Sequence, residues 1–198
     1  MTLSITRTAA QRRLTKRFVS DCRGVAMIEF ALIAPVMLVM MLGMMWGADI
    51  MQANRHLTYA AGTLADLASQ EKKLFNEDFT EIFLAVEETL KPFDYGNLKM
   101  IVTSVEIDED GEGTVHWSES NAGLDHSHGS TFKLPNGLNE PNTTVIVAEM
   151  SYDYEAPIMT SPLTKNVSMD SMTIKDEFFV RPRRSNKVER CYSEKNCI

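Results

Sequence analysis

The residues able to do chemistry in this 198-residue chain fall into a few small groups. One is a lone carboxylate. Glu29 follows Gly24 by five residues and stands at the mouth of an uncharged run, Phe30–Ala48. An unpaired charge buried in hydrocarbon costs several kcal/mol, so this acid calls for a partner or an interface. A second group, Asp108, Asp110, Glu112, Gly113 and Glu119, has calcium-loop spacing, with Gly at the sixth position and Glu at the twelfth. A third, Asp125-His126-Ser127-His128, offers two imidazoles and a carboxylate of the kind zinc accepts. The last is the cysteine pair Cys191 and Cys197.

Each has a plainer reading. An EF-hand needs a helix on either side, whereas both flanks of 108–119 read as strands and the fifth position is Glu; a solvated hairpin turn is preferred. The histidines lie in a Gly/Ser-rich stretch with no third ligand identifiable, so an exposed polar loop is preferred to zinc. Cys191 and Cys197 fall in the part expected to be exported, where oxidising conditions favour a short-loop disulfide, a local staple. A Cys-x5-Cys metal site is disfavoured because the last 70 residues hold no histidine. Cys22 belongs to the opposite, reducing side. The 13 methionines, many between Met37 and Met51, suit flexible packing in lipid. Sequons at Asn142 and Asn166 would matter only in a eukaryotic secretory pathway. No nucleophile elbow, phosphate loop or Asp-x-Ser-x-Ser metal motif occurs, so neither catalysis nor a cofactor or metal is expected.

These groups need elements to position them. Phe30–Ala48 gives 19 residues without a charge, enough for one membrane-spanning helix. Pro35, Gly43 and Gly47 within it are tolerated better in lipid than in water. A cleavable signal would have a shorter core of about 7–15 residues, and Trp46-Gly47-Ala48-Asp49 makes a poor site for its peptidase. Beyond the run, Met51, Leu57, Ala60, Ala61, Leu64, Leu67 and Ala68 recur near spacings of three and four. One helix from Val25 to Ser69 is expected, half in lipid and half on a folded domain. Phe79, Ile82, Phe83, Val86 and Leu90 predict a second helix over Glu77–Leu90, stopped by Lys91-Pro92. Strands follow at Leu98–Ile107, Thr114–Ser118, Thr143–Tyr154 and Met169–Val180, with a long exposed loop over 119–142. In Thr143–Tyr154, Ile146, Ala148, Met150, Tyr152 and Tyr154 share one face, with Glu149, Ser151 and Asp153 on the other. The fold class is α+β with an antiparallel sheet. Its divisions are a leader over 1–24, a membrane helix over 25–51 and an exported domain over 52–198.

Charge sets the orientation. Arg7, Arg12, Arg13, Lys16, Arg17 and Arg23 face only Asp21 in the leader, so the N-terminus stays cytoplasmic. Taking six cations and one acid from totals of 20 and 27 leaves 14 against 26, a net of −12 beyond the leader. So acidic a domain argues against nucleic acid or anionic lipid as its target.

Gly24-Val25-Ala26-Met27-Ile28-Glu29-Phe30, behind a basic leader and before an apolar helix containing Ala31-Leu32-Ile33-Ala34-Pro35, resembles the TadE/TadF family. These are pilin-like minor components of bacterial tight-adherence (Tad) pilus machines. Tyr152-Asp153-Tyr154, Pro157 and Arg181-Pro182-Arg183 extend the likeness more weakly. The resemblance implies a pilin-like fold and a prepilin peptidase that cuts after Gly24, making Val25 the new N-terminus. Glu29 would be the signature acid of assembly. Phe30 stands where major pilins usually carry Tyr, which favours the minor branch; TadE and TadF are not separated. Implied partners are minor and major pilins, the inner-membrane assembly platform and the peptidase. The implied location is the inner membrane, single pass, with the C-terminal domain periplasmic. The alternative is an uncleaved, single-pass periplasmic scaffold or sensor of a secretion system. A plainer role for Glu29 is an interfacial acid at the membrane edge.

Overall fold

The computed structural model describes residues 24–91, 95–154, 172–193 and 195–198. Leader residues 1–23, Pro92, Pro157, the Asn166 sequon and the expected strand start at 169–171 lie outside these residues. The fold is α+β, and the chain divides into two units, Met1–Ala48 and Asp49–Ile198.

In the first unit the described residues are Gly24 and the start of helix α1, Val25–Gln70. Ala, Leu and Met dominate, and they lose little freedom in a helix. Pro35 removes the amide that would bond the Ala31 carbonyl, yet the helix runs on through it. Side chains of residues 25–45 are exposed except half-buried Ala34. Among the described residues this is the one helix long and apolar enough to cross a membrane. At about 1.5 Å per residue its apolar run is close to the thickness of a hydrocarbon core.

The second unit begins on the same helix. Ala53, Leu57, Ala60, Ala61, Leu64, Ala65, Ala68 and Ser69 are buried, a stripe rich in alanine. Met51, expected on that stripe, is 61% exposed. Two residues turn a helix by about 200°, so Met51 falls opposite Ala53. Helix α2, Asn76–Thr89, begins where Asp78 accepts the Phe75 amide at 2.7 Å, with Glu77 and Asp78 near its positive end. Phe79, Val86 and Leu90 are buried, while Ile82 and Phe83 are half-buried.

Five strands form an antiparallel sheet in the order β4-β3-β2-β5-β6. Their ranges are β2 Leu98–Ile107, β3 Gly113–Ser120, β4 Thr131–Phe132, β5 Thr144–Tyr154 and β6 Met172–Val180. Register places Leu98, Met100 and Val102 beside Tyr152, Met150 and Ala148, with Ile174 and Phe178 beyond. The helices cover this face. A Cβ built on Gly62 would lie 3.6 Å from the Phe178 ring, Thr58 donates to Asp176, and Phe79 meets Trp117 edge-on at 5.5 Å. The alternation expected for β5 is present, with Ile146 through Tyr154 buried on one side.

The expected exposed loop over 119–142 is corrected in part. Val105, Ile107, Leu134, Val145 and Val147 form a second buried cluster on the opposite face, flanked by Phe132 and Phe179. Residues 131–134 fold onto the sheet because Phe132 and Leu134 are apolar beside an open Val-rich face. Gly113 sits against them: a Cβ there would come 2.6 Å from the Phe132 carbonyl and 3.0 Å from Val105. Gly113→Ala is therefore expected to destabilise the domain by about 1–3 kcal/mol in denaturant unfolding.

A second, three-stranded sheet was not expected: β1 Lys73–Leu74 pairs in parallel with β7 Glu189–Ser193, and β7 with β8 Asn196–Cys197 in antiparallel. In chain order β1 falls between the two helices.

Candidate processing and assembly segment

Gly24 immediately precedes α1, is exposed, and a Cβ built on it would meet nothing within 4 Å. Packing therefore does not require glycine at this position. Val25 and Glu29 are four residues apart and share one helical face, about 6 Å apart along the axis. Glu29 and Phe30 are exposed. The first four amides of a helix lack intrahelical partners and form its positive end. Helical side chains lean toward the N-terminus, so the Glu29 carboxylate leans toward Val25 and those amides. A free amine created at Val25 would add a full charge there, and Glu29 is the acid placed to offset it.

The other groups lie in the second unit. Cys191 and Cys197 are joined in a disulfide, S–S 2.00 Å, across the β7–β8 pair. Glu189 lies with these two sulfurs in a three-residue group of ligand type, but the bonded sulfurs have no thiolate to offer a metal. The acidic hexapeptide is the β2–β3 hairpin turn. Asp108 accepts the amides of Asp110 and Glu112 at 3.0 and 2.8 Å, and Gly111 takes φ +82°. Glu119, the would-be twelfth calcium ligand, instead accepts from Arg190. The histidines of 125–128 part company. His126 meets Glu149 at 2.5 Å, and His128 donates from Nδ1 to the His116 carbonyl at 2.6 Å.

Asp153 lines an open groove on the outer sheet face together with Lys99, Glu149, Lys175 and Glu177, charges of both signs. The Thr173 hydroxyl and then Lys99 hold its carboxyl below the ordinary 3.8. A lowered folded pKa stabilises above the unfolded value and is lost as pH falls through the folded one. Asp153→Asn is thus expected to lower the thermal midpoint slightly near neutrality and to flatten its fall in acid below 3.8.

Arg190 is the centre that sequence reading missed. It is 3% exposed. Its Nε donates to Glu119 at 2.6 Å, Nη1 to the Cys191 carbonyl at 2.8 Å, and Nη2 to Asn76. Phe79 and Tyr192 lie within 4.8 and 4.6 Å of the guanidinium. Its partners stand 71 and 114 residues away in sequence, so no local pattern marks it. It ties α2, β3 and the disulfide strand together, which is a structural task.

Residues 24–66 match the family model described as TadE-like protein, a stretch that begins at Gly24 and includes Glu29. No curated protein and no solved structure matches the chain. Over residues 24–66 the chain is thus similar to the TadE-like family, which is pilus-associated and pilin-like.

Proposed function

We propose that this protein is a membrane-anchored, pilin-like minor subunit needed to assemble Tad/Flp-type adhesive pili. In this reading a prepilin peptidase cuts after Gly24. The carrying observation is the coincidence, within the TadE-like stretch, of exposed Gly24, Glu29 one helical turn beyond Val25, and an apolar helix exposed on nearly every side. The basic leader holds the N-terminus in the cytoplasm, and the acidic domain lies in the periplasm.

After cleavage, the amine of Val25 and the carboxylate of Glu29 neutralise one another, within one subunit or between neighbours. Such a pair in an apolar core adds little net stability, but it fixes register, which a stacked assembly needs. The apolar face can then exchange lipid for the helices of major and minor pilins. The assembly platform and the peptidase are the other partners.

Gly24→Leu is expected to leave a single, uncut species of full leader-bearing mass in native membranes, and to abolish assembly with it. A mature N-terminus at Val25 in that variant would refute the cut after Gly24. The uncleaved scaffold or sensor would instead retain its leader in the wild type.

A further inference from the structure

β3 carries a bulge. Trp117 pairs with Ser104 and Val115 with Val105, so His116 has no partner of its own on β2. A bulge takes its side chain off the strand's alternation, and here it delivers an imidazole to the edge where residues 128–130 run alongside. The His116 side chain is 14% exposed, and its Nδ1 lies 3.6 Å from the Glu106 carboxylate. Its Nε2 is buried and has no hydrogen-bond partner among the described residues. A buried polar atom left so is costly, and a ligand would relieve that cost.

His128 faces it, with ring centroids 6.3 Å apart. Because His128 donates from Nδ1 to the His116 carbonyl, its Nε2 carries the free lone pair. Each ring therefore has one nitrogen against a carboxylate or carbonyl and the other available. The His128 ring is fixed by its carbonyl as metal-binding imidazoles are by their outer shell, whereas His116 at 3.6 Å from Glu106 is held by charge rather than by a hydrogen bond.

We propose that His116 and His128 bind a divalent transition-metal ion of the zinc class through their Nε2 atoms, with Glu106 orienting His116 and solvent filling the remaining positions. At about 2.0–2.1 Å per metal–nitrogen bond, an ion held at a tetrahedral angle brings two ring centroids to about 5 Å, so the exposed His128 ring closes by about 1 Å from its 6.3 Å separation to bind it. Lys187 lies 3.6 Å from the same Glu106 oxygen and competes for that carboxylate, and only two protein ligands are supplied, so the affinity is modest. The site departs from the expectation of no metal. The sequence offered His126 and His128 as a pair, whereas the fold gives His126 to Glu149 and supplies His116, twelve residues upstream of His128, in its place.

The test is calorimetric titration of the full-length chain, without a histidine tag and in detergent micelles, with zinc chloride alone. One ion per chain is expected for the wild type and for His126→Gln. His128→Gln and His116→Gln should each weaken binding about tenfold or more, and Glu106→Gln about tenfold through the outer shell. His128 lies in an exposed loop, so its variant keeps the fold even if His116→Gln does not. Absence of zinc uptake by the wild type, or uptake unchanged in His128→Gln, would overturn the site. Equal loss in His126→Gln and His128→Gln would overturn it as well.

Discussion

Glu29→Ala is expected to leave the chain fully inserted in the membrane and to abolish its incorporation into the pilus assembly. Insertion should not suffer, because removing a carboxylate makes the apolar stretch easier to bury. Assembly should fail because the amine at Val25 would then enter a helical core uncompensated, beside amides that already form the positive end of α1. The penalty for an unpaired charge in such a core is several kcal/mol, enough to exclude the subunit. Glu29→Gln keeps the shape and loses the charge, so it should fail equally. Membrane fractionation combined with a count of surface pili separates the two steps. Normal piliation by Glu29→Ala would reduce Glu29 to an interfacial acid with no role in assembly.

Arg190→Ala should give the largest loss of stability in the second unit. Truncation leaves Glu119 and the Asn76 carbonyl without their donor and opens space between Phe79 and Tyr192. Breaking a buried charged pair by removing one member typically costs about 3–5 kcal/mol. For a folded unit of this size that corresponds to a fall of about 10 °C in the thermal midpoint. Arg190→Lys should recover only part of it, because an ammonium cannot reproduce the planar fork that reaches Glu119, Asn76 and Cys191 at once. A midpoint unchanged in Arg190→Ala would show that the aromatic and disulfide contacts hold the C-terminal strand unaided.

What the sequence disclosed, and what it hid, follow from the range of the interactions. The helix over residues 25–70 was legible because nineteen uncharged residues and a stripe at spacings of three and four are local signals. The α2 stripe, the Asp-Gly turn and the alternation in β5 were legible for the same reason. The small sheet was not. Its strands β1 and β8 hold two residues each, too short for any periodicity, and the β1–β7 pairing joins Lys73 to Glu189. The loop over 119–142 misled because Gly, Ser and Asn outnumber Phe132 and Leu134, and two apolar residues gain their meaning only from the Val145 and Val147 face they cover.

The functional groups divide in the same way. Gly24, Val25, Glu29 and Phe30 are contiguous, so their spacing carried the resemblance directly, and residues 24–66 match the TadE-like model. Arg190 and His116 depend on partners brought in from elsewhere in the chain, and His116 depends further on a bulge that no residue type announces. The histidine pair read from residues 126 and 128 was adjacent in sequence but is divided between two partners in the fold.

Everything proposed for Glu29 rests on the amine created at Val25, and so on one peptide bond. N-terminal sequencing of the protein recovered from membranes of its native host tests that bond directly. The expected result is a mature chain beginning Val-Ala-Met-Ile-Glu, with the 24-residue leader removed. A chain that retains its leader in a cell assembling normal pili would contradict it, and would leave an uncleaved single-pass anchor as the reading to pursue.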